Sequence, residues 1–156
     1  MTARARRRLR GDHGQVGGIE AIPFGLLVFV LGGLLIANAW AVVDAKFATD
    51  AAAREAARAY VEASDDAGAL AAAEAAARQA VTAHGRDGSR AGVRPVGAAR
   101  FARCERVTIE VTYEVPALTL PLVGGWGPAP FTVRSHHSEV VDPFRSDVPG
   151  EADGCA

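Results

Sequence analysis

Residue types that carry catalysis or ligation gather in one short run, Ser135-His136-His137-Ser138-Glu139. Serine, histidine and a carboxylate can form a nucleophile–base relay, and two histidines with a glutamate can hold zinc. The run reads as a strand, however, so His136 and His137 point to opposite faces and cannot grip one ion. His137 and Glu139 share a face and offer at most two ligands, which fits a solvated strand better than a metal centre. Asp65-Asp66 falls in a break, Ser64-Asp65-Asp66-Ala67-Gly68, and reads as a helix cap rather than an acid–base pair. Gly124-Gly125-Trp126-Gly127 lacks the helix and lysine that complete a phosphate loop. The expectation is a non-enzymatic protein, with no catalytic residues, no cofactor and no metal ligands.

Glu20 poses a different question. It stands at the entrance of a stretch, Ala21 to Val43, that contains no charged side chain. As a helix that stretch reaches roughly 35 Å, enough to cross a hydrocarbon core of about 30 Å. A carboxylate at such an edge is costly unless paired or interfacial. Two readings stay open: an interfacial residue favoured by the helix dipole, or a partner for a cation on a neighbouring subunit, such as a free amino terminus.

The charge distribution agrees with an anchor. The 156 residues sum to -1. Residues 1–20 hold five arginines (Arg4, Arg6, Arg7, Arg8, Arg10) against Asp12 and Glu20, for +3, and the remainder carries -4. Cations before the span place residues 1–19 in the cytoplasm as a basic leader and residues 44–156 outside. Beside a membrane, the arginine run reads as a topology or anionic-lipid signal, and no nucleic acid is expected.

The elements that must position everything else are few. Asp44 to Glu62 is rich in alanine and free of glycine and proline, so the spanning helix continues beyond residues 20–43. Asp50–Arg54 and Glu55–Arg58 are spaced as supporting pairs. Ala67 to Ala83 is a second helix, with Leu70, Ala77 and Val81 toward the core and Glu74–Arg78 outside; His84-Gly85 stops it. The period then becomes two-fold. Val107 to Val115 alternates without a fault, Val107, Ile109, Val111, Tyr113 and Val115 facing inward. Val93 to Arg103 is a weaker strand interrupted by Pro95 and Gly97, and Phe131 to Val141 is a third. Between the last two strands, Leu118, Leu120, Leu122 and Val123 call for cover by protein or membrane. The predicted fold is α+β: a long N-terminal helix, transmembrane and then extracytoplasmic, a second helix, and a small antiparallel sheet of about three strands.

Cys104 and Cys155 are the only cysteines. An even count on the outer side of a membrane argues for one disulfide, joining the start of a strand to the carboxy terminus; two unrelated thiols are the alternative.

These residues together resemble a known family. The arginine-rich leader with Gly14, Glu20 before an apolar span, and above all the continuation Ala51-Ala52-Ala53-Arg54-Glu55-Ala56-Ala57-Arg58 resemble TadE-like proteins. These are pilin-like components of tight-adherence (Flp-type) pilus assembly systems. The likeness is good over residues 11–62 and loose beyond. It implies a cut on the cytoplasmic side by a prepilin-type peptidase, with Gly14, Gln15 and Val16 as the processing residues. Glu20 lies five residues into the mature chain if the cut precedes Val16, and six if it follows Gly14. Ala21 stands where the major pilins have an aromatic residue. Implied partners are the membrane, other pilin-like subunits and pilus assembly platform proteins, with Glu20 pairing between subunits.

Two other readings compete. Ala37-Asn38-Ala39 is formally a signal-peptidase site, and a cut before Trp40 releases a secreted domain; the apolar stretch exceeds the usual signal-peptide core of about 7–15 residues. The other is a plain anchored ectodomain serving as scaffold or sensor.

Overall fold

In a computed structural model of the chain, residues 21–98, 100–115, 131–151 and 155 are described. The elements run α1 (Ala21–Glu62), α2 (Asp66–Ala83), a 3-10 turn (Gly88–Arg90), β1 (Ala91–Pro95), β2 (Arg106–Val115) and β3 (Phe131–Val140). This is the α+β arrangement of two helices and a three-stranded antiparallel sheet, in the order β1-β2-β3. The chain divides into two units, Met1–Ala37 and Asn38–Ala156. Among its described residues, the first contains only the opening turns of α1. The second holds the rest of α1 and every other element.

In that second unit, the core lies between one face of the sheet and the alanine faces of the two helices. Alternation in β2 sends Val107, Ile109, Val111, Tyr113 and Val115 inward, each nearly or fully buried. Against them lie Ala45, Ala48, Ala52, Ala53, Ala56, Ala57 and Tyr60 of α1, and Ala69, Ala73, Ala77 and Val81 of α2. Small side chains line the inner faces of both helices, and the larger valines and Ile109 fill the space between them and the sheet. In α2 the buried stripe repeats every four residues from Ala69, and Leu70, about 100° around the helix from Ala69, is 38% exposed rather than in the core. The alanines, not the leucine, face the sheet.

Local rules set the ends of α2. Asp65 caps it, its side chain accepting from the Gly68 N–H at 2.7 Å. Gly85 follows with φ +72°, a left-handed turn that an L side chain rarely adopts. The pair Glu74–Arg78 forms at 2.8 Å. On α1 the pairs differ from the spacing-based expectation: Lys46–Asp50 and Arg58–Glu62 close at 2.8 and 2.9 Å, instead of Asp50–Arg54 and Glu55–Arg58. Asp50 turns toward Lys46 because both meet β3 there, as described below.

The first strand is shorter and earlier than the reading Val93 to Arg103. Pro95 does not break it. The Val96 N–H donates to the Thr108 carbonyl at 2.8 Å, so by antiparallel alternation Pro95 faces the free edge, where a missing N–H costs no ladder bond. Gly97, at φ +76°, then turns the chain away.

Candidate functional site

The surface feature that stands out is the amino-terminal part of α1. Ile22, Phe24, Leu26, Leu27, Phe29 and Leu35 are all more than half exposed, in an uncharged stretch. Soluble domains rarely leave such a contiguous apolar surface to water. Among the described residues, α1 is the one helix long and apolar enough to cross a membrane. The predicted site residues Gly14, Gln15, Val16 and Glu20 lie outside the described residues, as does the loop with Gly124 to Gly127.

What distinguishes α1 from a simple anchor is its continuity. Its apolar stretch passes into the core without a linker: Ala41 and Val42 pack against the buried cluster, and Ala45 is fully buried. A single helix of 42 residues therefore supplies both the apolar surface and one wall of the α+β unit.

Three cations fasten this helix to the rest. Arg86, in the turn after α2, donates to the Asp44 carboxylate at 2.6 and 3.0 Å and to the Ala41 carbonyl at 2.8 Å. Its guanidinium also sits 5.6 Å from the Tyr113 ring centre, so one planar group joins α1 to β2. Lys46 donates to Asp50 at 2.8 Å, to the Arg134 carbonyl at 2.8 Å and to Ser135 Oγ at 2.6 Å. Ser135, itself buried, donates onward to Asp50. Arg145 closes the far end of α1, donating to the carbonyls of Val61, Glu62 (2.9 Å) and Ala63 while stacking 5.8 Å from Phe101. Those carbonyls are the helix's terminal acceptors, where a cation also meets the negative end of the dipole.

None of these three fasteners was legible from spacing. Each joins residues more than 40 positions apart, so no local pattern announces it.

Partial burial pushes the Asp50 carboxyl up, but hydrogen bonds from Lys46 and Ser135 and the charges of Lys46 and Arg54 outweigh it and hold the carboxyl below its ordinary value. With the folded value depressed, the stability Asp50 contributes is present above the unfolded carboxylate range. It is lost as pH falls through the folded value.

The run singled out for chemistry is also placed. His136 is exposed on one face of β3, while His137 shares the other with Glu139, 3.2 Å away. No group of three or more potential metal ligands occurs among the described residues. Ser135 accepts from Lys46, which also donates to Asp50 and to the Arg134 carbonyl. The arrangement can hold a helix against a strand edge.

Cys104 and Cys155 form a disulfide with Cα atoms 4.8 Å apart. It joins the entry to β2 to the chain's end, beside a tail also held by buried Val148 and by the Arg103 N–H donating to Pro149 at 2.8 Å. No family model, curated protein or solved structure matches the chain.

Proposed function

We propose that this chain is a membrane-anchored, pilin-like structural component of a Flp/Tad-type pilus assembly or secretion system. The arginine-rich leader is cytoplasmic, residues 20–43 cross the membrane, and residues 44–156 form an extracytoplasmic domain. The observation that carries this reading is the unbroken α1, with exposed apolar side chains in its first half and buried alanines in its second. A helix built this way can pack sideways among similar spans. The sequence likeness of residues 11–62 to TadE-like proteins supplies the family.

A secreted product cut before Trp40 fits less well. Ala37-Asn38-Ala39 is helical, whereas a peptidase needs an extended substrate, and the adjoining Ala41 carbonyl is bonded to Arg86.

Glu20 is the residue through which the span pairs with a neighbouring subunit. Glu20→Ala should leave membrane insertion intact, because the apolar stretch and the arginines that orient it are untouched. It should abolish co-purification with pilin-like partners from detergent-solubilised membranes. A Glu20→Ala protein that still co-purifies and supports pili contradicts the pairing role.

A further inference from the structure

The third strand lies at one edge of the sheet, and hydrogen-bond parity tells which of its backbone groups face outward. The Val96 N–H donates to the Thr108 carbonyl, so even residues of β2 bond toward β1 and odd residues toward β3. In the β2–β3 register odd residues pair with odd, so Val133, Ser135, His137 and Glu139 bond to β2. Two contacts agree. The Val141 N–H donates to the Glu105 carbonyl, and the Arg134 carbonyl points away from β2 and accepts from Lys46. The N–H and C=O groups of Thr132, Arg134, His136, Ser138 and Val140 therefore face the open edge.

The two edges of the sheet are not equally protected. β1 is 5 residues long and carries Pro95 on its open side, a device that keeps a strand from pairing further. β3 is 10 residues long, contains no proline, and pairs with β2 without a bulge. Lys46 covers it at Arg134. From His136 to Val140, the end of β3 away from residues 116–130, no donor or acceptor among the described residues reaches the outward backbone groups.

The flank of α1 decides what can lie there. Asp50 is bonded to Ser135 and Arg58 is within electrostatic reach of Glu139, so Arg54 and Arg58 flank the open stretch. The nearby carboxylates are engaged: Asp50 with Lys46 and Ser135, Glu62 with Arg58, Glu139 with His137, and Asp142 with the Phe144 N–H. Glu114, opposite Thr132, lies beyond the point that Lys46 closes. Arg54 and Arg134 are exposed and form no direct ion pair among the described residues. A second copy paired about Ser138 would set its own Arg54 and Arg58 against these two, like charge facing like. A lone extended segment brings no such helix.

We propose that the free edge of β3 from His136 to Val140 is a docking site for an extended, acidic segment of another protein, added as a fourth strand. Main-chain hydrogen bonds to His136, Ser138 and Val140 hold it. Its carboxylates meet Arg54 on the helix side and Arg134 on the other, because successive side chains alternate between the faces. The site belongs to the unit Asn38–Ala156 alone and does not rest on reading α1 as a membrane span.

Fluorescence anisotropy tests this with the full chain in nonionic detergent and a dye-labelled nine-residue peptide of valine, threonine and glutamate. The same peptide with lysine at every glutamate is the charge control. Ser138→Pro removes one outward N–H and leaves the β2 ladder intact, as Pro95 does on β1. Ser138→Ala removes only the hydroxyl contact with Thr108 and keeps that N–H. Non-reducing gels showing the Cys104–Cys155 bond verify folding of each variant. Val140→Pro, which also removes an outward N–H, replaces Ser138→Pro if the latter misfolds.

The acidic peptide should bind the parent and Ser138→Ala alike, and the lysine peptide should bind neither. Ser138→Pro, and separately Arg54→Ala with Arg134→Ala, should weaken binding about tenfold. No binding to the parent overturns the proposal. Equal binding to Ser138→Pro, or equal loss in Ser138→Ala, overturns the strand edge as the site. Equal binding of the lysine peptide overturns the acidic partner. A parent dimer that Ser138→Pro dissociates shows that the edge takes a second copy, and overturns the lone segment.

Discussion

Arg145→Ala should lower the stability of the α+β unit by about 2–4 kcal/mol, the sum expected for losing charge-assisted bonds to a helix end together with a stacked ring. The side chain donates to three successive carbonyls, Val61, Glu62 and Ala63, and stacks on Phe101. Phe101 in turn packs edge-on against Tyr60, with ring centres 6.1 Å apart. Truncation therefore leaves terminal carbonyls of α1 without this donor and loosens two rings of the core. Arg145→Lys should recover little, since a single ammonium lacks the planar fork that reaches several acceptors while lying flat on a ring. The measure is the urea midpoint at unchanged slope, with exposed Arg106→Ala as a control expected within about 0.5 kcal/mol of the parent. An Arg145→Ala midpoint equal to the control's refutes the capping role.

Loss of the disulfide is the second large effect. Cys104 and Cys155 are 51 residues apart in sequence, and the chain-entropy model assigns about 4 kcal/mol to closing a loop of that size. Cys155→Ser should show most of that loss. Cys104→Ser with Cys155→Ser should lose no more than the single variant, because both remove the same bond. The tail should stay partly docked through Val148 and the Arg103–Pro149 bond, so secondary structure is retained in mild denaturant. Reduction of the parent protein should reproduce the Cys155→Ser midpoint. A parent whose midpoint does not move on reduction shows that the bridge adds nothing to the fold.

Elements with strong periodicity could be read from the chain directly. The unbroken alternation of Val107 to Val115 fixes β2 and its inward face, and the Ser64–Gly68 break fixes where α2 begins. The alanine-rich stretches are legible as helix, and the core-facing side of α2 in part: Ala77 and Val81 are buried as expected. Alanine contributes little amphipathic contrast, so Leu70 reads as the inward residue where Ala69 and Ala73 are the buried ones. Pro95 and Gly97 do mark where β1 ends. That Pro95 itself lies within the ladder was not legible, because the sequence does not tell which edge of β1 is free. Arg86, Lys46 and Arg145 were illegible because their partners are set by tertiary packing. The entrance from Gly14 to Glu20 was legible as a candidate site from composition and position alone, and it lies outside the described residues.

That entrance decides the central claim. The direct measurement is the first residue of the mature protein purified from membranes, read by amino-terminal sequencing or by the mass of its first peptide. The proposed function predicts Gln15 or Val16, a cytoplasmic-side cut that leaves Glu20 near the new terminus and the whole apolar stretch in the product. Trp40 as the first residue contradicts it and makes the chain a secreted domain. Met1 or Thr2 contradicts it as well and leaves a plain membrane anchor.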